Sequence, residues 1–368
     1  MKVAVLGVGL IGGSIGLAAR ARAGAEVCGY DREPGVRERA LQLGVIDTAS
    51  ADIAGAVAGA DVVFAATPVG ALPDTVRHAL AGAGRDCVVS DVGSTKRMLA
   101  RVGVDERFVG GHPLAGAESA GVEHAREDLF EGAVWYLTPA EHSTAGVLYE
   151  RLHRLLASFG ARPTAIDAAT HDRLMACVSH LPHVLANALV GQAAALLGGE
   201  GGDGGEGGEG PASLPAVGPS FRDATRVAGA NSAIWTDIYL SNSDAIVACI
   251  DELLAHLAQV RTWIGEQDAH AVARWNDRAR GARETLLGAA LTGGPVQELR
   301  VSVPNRPGVI ADIALALGRE GVNIADMALS PSQDNSQGVV ALWIGGGEQR
   351  TRRAHELIRE LGFPVARA

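Results

Sequence analysis

Residues 2–31 constrain this chain more tightly than any other stretch. The apolar run Lys2-Val-Ala-Val-Leu6 passes straight into Gly7-Val-Gly9-Leu10-Ile11-Gly12, and a second apolar run, Glu26 to Tyr30, ends at Asp31. Gly7 lets the chain turn sharply out of the first strand, Gly9 lets backbone N–H groups approach a pyrophosphate, and Gly12 lets the next helix pack close to the sheet. The amino terminus of that helix presents partial positive charge to the phosphates. Asp31 follows the second strand, where a carboxylate accepts bonds from the adenosine ribose hydroxyls. An ordinary tight βα turn is the plain alternative, but strand, triplet, helix, strand and acid in this order favour a dinucleotide site. Its expected contacts are Gly7, Gly9, Leu10, Ile11, Gly12, Asp31 and Arg32. Arg32 leaves room for a 2′-phosphate, whereas Asp31 argues for NAD over NADP.

Strands and helices then alternate as a doubly wound parallel sheet requires, which makes residues 1–166 an α/β domain. Strand-like runs at 61–65, 87–91 and 108–110 each lead into a loop of small or polar residues: Thr67-Pro68-Val69-Gly70, Gly93-Ser94-Thr95-Lys96 and Gly111-His112-Pro113. Ligands of such sheets bind beyond the carboxyl ends of the strands, so these loops are expected to share one crevice. Thr67 and Pro68 join the cofactor contacts. A further strand is expected at 134–138.

From Asp167 the pattern becomes long and helical, as at 172–197 and 243–266, giving an all-helical domain over 167–290. It is interrupted at 198–219 by a glycine and acid tract that reads as a disordered loop. The tract lacks the preceding strand and the lysine of a P-loop. After the linker 291–295, residues 296–368 alternate strand and helix as a small α+β module.

At 368 residues, two or three domains are expected. The net charge of −10 supplies no basic footprint for nucleic acid or an anionic membrane. Cys28, Cys87, Cys177 and Cys249 form no CxxC pair, so a disulfide framework and structural zinc are not expected and the site needs no metal. No signal peptide or membrane span is expected, and the expected location is the cytoplasm.

Four blocks carry candidate chemistry. Gly110-Gly-His112-Pro113 sets a histidine in a loop where a nicotinamide ring would arrive, and Asp91-Val-Gly-Ser94-Thr95-Lys96 adds a serine that, like Thr95, also suits a helix N-cap. Ser179-His180-Leu-Pro-His183 lies on the first long helix. In Phe221-Arg222-Asp223-Ala-Thr-Arg226, helical spacing puts both arginines on one face, where they suit the carboxylates of a dianion. Trp235 follows nine residues later.

Together GVGLIGGS at 7–14, DVGSTK at 91–96, GGHPLAGAE at 110–118, HDRLMACVSHLPH at 171–183 and FRDATRVA at 221–228 resemble the prephenate dehydrogenase family. The resemblance implies a Rossmann-type domain, a helical dimerisation domain and NAD-dependent oxidative decarboxylation of prephenate in tyrosine biosynthesis, or of arogenate. It implies that His112 is the catalytic base, assisted by Ser94. It also implies that Arg226 holds the ring carboxylate, that Arg222, His183 and Trp235 line the substrate, and that Glu118 and Asp223 form a gate with Arg226. A homodimer is implied as well. Residues 303–310 and 321–324 resemble an ACT regulatory domain, implying a tyrosine effector at Asn305, Pro307, Gly308 and Asn323. Departures are Gly218-Pro219-Ser220 before the FRD block and Ala120 where relatives often carry Ser.

Two other classes remain open at this point. A helical-domain 3-hydroxy acid dehydrogenase usually relies on a catalytic lysine there, but the chain has no lysine after Lys96. An amino-acid sensor without turnover would have little use for His112, Ser94 and both arginines.

Overall fold

A computed structural model of the chain describes residues 1–368 apart from 101–104, 117–119, 141–145, 198–216, 292–295, 305, 307, 332–336 and 368. Short runs of valine, alanine and leucine form the buried strands of the first layer. The elements run β1 (Lys2–Leu6), α1 (Leu10–Ala23), β2 (Glu26–Tyr30), α2 (Pro34–Gln42), β3 (Thr48–Ala49), α3 (Ile53–Val57), β4 (Val62–Ala65) and α4 (Leu72–Gly82). They continue with β5 (Val88–Asp91), α5 (Arg97–Ala100), β6 (Phe108–Pro113), β7 (Val134–Pro139), α6 (Gly146–Ser158) and β8 (Arg162–Ala165). The eight strands form one sheet in the order β3-β2-β1-β4-β5-β6-β7-β8. Because β1 pairs in parallel with both β2 and β4, the winding reverses there and opens a crevice over the strand ends.

The sheet departs from the all-parallel expectation. β7 pairs antiparallel to β6, and β8 runs parallel to β7. Among the described residues between β6 and β7 only a short 3₁₀ turn, Val122–His124, is helical, so the chain returns without a crossover helix and reverses direction. This pairing also lengthens β6. His112 stands opposite Tyr136 inside the strand and is 9% exposed, which corrects its expected place in a surface loop.

A helical layer follows: α7 (Ala168–Met175), a π-helical turn (Ala176–His180), α8 (Leu181–Leu197), α9 (Pro219–Thr225), α10 (Ser232–Ser241), α11 (Ser243–Gly265) and α12 (Ala269–Leu291). Pro219, expected within the disordered loop, instead opens α9 as its first residue, where its missing N–H costs nothing. Of the rest of that loop, 198–216 lies outside the described residues and Val217 and Gly218 are exposed. Ala168–Leu196 is long and apolar enough to cross a membrane by length and composition, with mean hydropathy 1.4, although no span was expected. It nonetheless buries His171, Asp172 and His180 against the rest of the chain.

The last module comprises β9 (Gln297–Pro304), α13 (Val309–Arg319), β10 (Ile324–Pro331), β11 (Gln337–Ile344), α14 (Gly347–Glu360) and β12 (Val365–Arg367). Its antiparallel sheet runs β10-β11-β9-β12. Strands β10 and β12 escape a sequence reading because Asp326 and Pro331 break the first and the second has only three residues. The module packs α13 and β10 onto α6 and β8, and one continuous apolar core joins Tyr149 and Leu152 to Ile313 and Leu317.

Candidate active site

The turn after β1 is built as its glycines require. Gly7 has φ +95°, and a Cβ on Gly12 would lie 1.9 Å from the Gly7 carbonyl oxygen, so helix and turn touch backbone to backbone. A Cβ on Gly9 would meet nothing within 4 Å, so there is open space beside the backbone at that position. Asp31 braces this turn: its carboxylate accepts the Val8 N–H at 3.0 Å and the Glu33 N–H at 3.1 Å. A cleft of about 320 Å³ lies here, lined by Val8, Gly9, Asp31, Val36, Arg39 and Glu123. The open space at Gly9, the start of α1 and Asp31 fit the pyrophosphate and ribose of a dinucleotide. Leu10 and Ile11, half-buried, pack onto the core at the start of α1, and exposed Arg32 lies 3.4 Å from Glu33. Thr67 pairs its hydroxyl with that of Thr75 at 3.1 Å, and Pro68 leads into a 3₁₀ turn that meets Asp237 through the Gly70 N–H. Val36, Arg39 and the Gly121–Glu123 wall carry no motif and are invisible to a sequence reading.

Beyond β5, a buried ion pair fixes the loop. Lys96 Nζ pairs with Asp91 and donates to the Gly111 carbonyl at 2.7 Å, while Asp91 accepts the Gly93 and Gly111 N–H groups at 2.8 and 3.0 Å. Burial lowers the Lys96 pKa and Asp91 opposes that shift. This lysine therefore acts as a clamp between β5 and β6, immediately before His112. Ser94 is half-buried in the same loop. The amides at the start of α5 are taken by Asp172, which accepts from Lys96 N at 2.8 Å and Arg97 N at 3.0 Å. Thr95 Oγ1 is buried with no hydrogen-bond partner, so neither of the expected caps operates here.

Asp172 also completes a chain of hydrogen bonds to His112. His171 Nδ1 lies 2.8 Å from Asp172 Oδ1, and His171 Nε2 lies 2.9 Å from His112 Nδ1. Burial raises the Asp172 pKa, but His171 and the Arg97 and Lys96 amides outweigh it and hold the carboxyl below its usual range. An ionised carboxylate only accepts, so His171 must donate from Nδ1. Burial keeps His171 neutral, which leaves Nε2 as its acceptor and makes His112 Nδ1 the donor. His112 Nε2 is thereby left with a free lone pair. Burial pushes the His112 pKa well below 6.5, and His171, Lys96 and His180 push the same way. His171, Asp172 and Lys96 lay inside motifs already noted, yet nothing local marked their roles.

The helical domain continues the network. Asn242 Nδ2 donates to the Asp172 carbonyl at 2.8 Å and lies 3.2 Å from His180 Nδ1. Arg97 ties the layers together by donating to Asn242 at 2.8 Å and pairing with Asp172 and Asp244. His180 meets Trp235 edge-on at 6.1 Å, and His183 stacks on Trp235 at 3.5 Å. His183 donates from Nδ1 to the Ser179 carbonyl at 3.0 Å. Burial lowers its pKa, and the charge of Arg226 lowers it further. His183, Trp235 and Arg226 are thus brought together, one network away from His112. Arg222 and Asp223 are exposed on α9. Glu118 lies outside the described residues, as do Asn305 and Pro307. Gly308, at φ +88°, starts α13, and Asn323 faces Thr164 of the first domain. Among the described residues no group of three metal-binding side chains occurs.

Comparison with known proteins agrees with this organisation. Family models match for the prephenate dehydrogenase nucleotide-binding domain at 15–164, the prephenate dehydrogenase dimerization domain at 167–277 and the ACT domain at 298–344. The chain is 32% identical to the prephenate dehydrogenase of Bacillus subtilis over 96% of its own length and 95% of that protein. It is similar to prephenate dehydrogenase from A. aeolicus, solved with hydroxyphenyl propionate and NAD+: TM-score 0.68, 27% identity, 78% of this chain and 98% of that one. The Synechocystis arogenate dehydrogenase structure gives TM-score 0.66 and 28% identity over 78% of this chain and 100% of that one. With 32% identity to such a protein over nearly its whole length and all three domain types in order, the chain belongs to the prephenate dehydrogenase family.

Proposed function

We propose that this enzyme oxidises prephenate with NAD+, releasing carbon dioxide and 4-hydroxyphenylpyruvate. The observation that carries the reading is the buried hydrogen-bond chain from Asp172 through His171 to His112 Nδ1, which argues for Nε2 as the proton acceptor at the carboxyl end of β6. NAD+, when bound, supplies the hydride acceptor. His112 Nε2 accepts the proton of the ring 4-hydroxyl as that oxygen gains carbonyl character, and returns it when loss of the C1 carboxylate makes the ring aromatic. Net, a dianion and NAD+ become a monoanion, carbon dioxide and NADH. Ser94 assists at the hydroxyl. Arg226 takes the ring carboxylate, and Arg222, His183 and Trp235 receive the side chain. Asp223 and Glu118 gate the entrance with Arg226. Asp31 favours NAD+ over NADP+ because a 2′-phosphate would face its carboxylate. The helical domain forms a homodimer, and the C-terminal module takes tyrosine at Asn305, Pro307, Gly308 and Asn323.

Arogenate is the second reading, supported by the similarity to the Synechocystis arogenate dehydrogenase over that whole chain. Ala120 has no side-chain hydroxyl to distinguish the amino acid from the keto acid. The deciding assay follows NADH absorbance with prephenate or arogenate, with NAD+ or NADP+, and with or without tyrosine. Turnover is expected with prephenate and NAD+ and to fall when tyrosine is added. Turnover with arogenate alone would replace the first reading by the second.

A further inference from the structure

The helix that carries His171 and Asp172 starts from a junction gripped by the C-terminal module. β8 ends at Ala165 and α7 starts at Ala168, so two residues separate the sheet from that helix. Asp167 caps α7 by accepting the Thr170 N–H at 2.9 Å, and its carbonyl accepts the His171 N–H at 2.9 Å. Three contacts reach this junction from the module. Arg319 Nε, at the end of α13, lies 3.9 Å from Asp167 Oδ2. Thr164 Oγ1 lies 3.4 Å from Asn323 Oδ1, sharing its one proton with the Arg162 carbonyl at 3.3 Å. The backbone of Gly318 approaches Ala165 so closely that a Cβ there would sit 1.7 Å from the Ala165 carbonyl oxygen. Burial pushes the Asp167 carboxyl up, yet Thr170 and Arg319 hold it below the usual carboxylate range.

We propose that the C-terminal module is a positioning element of the active site: the end of α13 and Asn323 set the β8–α7 junction, and through it the placement of His171 and Asp172 behind His112. The inference rests on His112 being the base. The 2.8 Å bond between His171 and Asp172 lies within α7, whereas the 2.9 Å bond from His112 to His171 and the bonds from the Lys96 and Arg97 amides to Asp172 cross to the first domain, so small displacements of α7 lengthen these. Ala165 cannot yield to a side chain at Gly318, because the obstructing atom is backbone in a packed core. A ligand that favours one arrangement of the module over another changes this junction by the difference in its two affinities.

The test uses the full-length enzyme and Gly318→Val, Arg319→Ala and, as a control on the far edge of the module, Arg367→Ala. Readouts are kcat and KM with prephenate, the pH profile of kcat, and hydrogen exchange of amides 166–175. Gly318→Val is expected to lower kcat about tenfold or more with KM for NAD+ unchanged. Its acid limb should move toward the ordinary histidine value near 6.5, with faster exchange in 166–175. Arg319→Ala should show the same changes at smaller size, and Arg367→Ala none. Wild-type pH profiles and exchange in both junction variants would overturn the proposal. Should Gly318→Val fail to fold, Arg319→Ala decides by the same readouts. A wild-type enzyme that oxidises neither prephenate nor arogenate would refute the assigned function, while the exchange comparison still decides the junction.

Discussion

His112 shows how a residue in a motif acquires its chemistry from groups far away in sequence. Its partner His171 is 59 positions distant and Asp172 binds Lys96 across 76, so the motif locates the histidine but not what tunes it. Because its pKa is lowered from 6.5, the neutral, proton-accepting form persists below pH 6.5. The acid limb of kcat/KM is therefore expected below that value, and a limb at or above 6.5 contradicts the burial argument. His112→Asn should reduce kcat by about 10²–10⁴-fold while NAD+ binding, followed by fluorescence, stays intact. Arg226→Ala should act differently, raising KM for prephenate more than it lowers kcat; an unchanged KM removes the carboxylate role. Arg226 was legible from its spacing to Arg222. Its company with His183 and Trp235 was not, since that depends on how α8, α9 and α10 pack.

At the scale of elements, what the sequence announces is local and what it hides is pairing. The glycine turn is readable because φ at Gly7 and the close approach at Gly12 are properties of single residues. The direction of β7 is not, because it is set by the connection after β6 and not by the strand's own side chains. The same holds for Lys96, whose partners belong to β5 and β6. Removing it leaves Asp91 buried without its cation. Lys96→Met should cost about 3–5 kcal/mol in denaturant unfolding, and adding Asp91→Asn should recover part of that loss. Equal stability of the single variant and the wild type would show that the pair does not clamp the two strands.

Across the whole molecule, the shared core between the first domain and the C-terminal module places His153 of α6 under β10, fully buried. Burial lowers its pKa to about 4 and outweighs the opposing charge of Asp326. The unfolded chain binds this proton near pH 6.5 and the native one does not until about pH 4. Stability present above 6.5 is therefore lost as pH falls through that window, by about 3 kcal/mol at most. His153→Phe should flatten the fall in denaturation midpoint from pH 6.5 to 4; an unaltered slope assigns the loss to other groups. Burial of Lys96 has a practical corollary. The chain holds two lysines, and with this one sealed in the interior Lys2, at the opposite end of β1 from the crevice, is the side-chain amine left for coupling. Tethering the enzyme to a surface through that amine would orient the crevice outward, toward the solution.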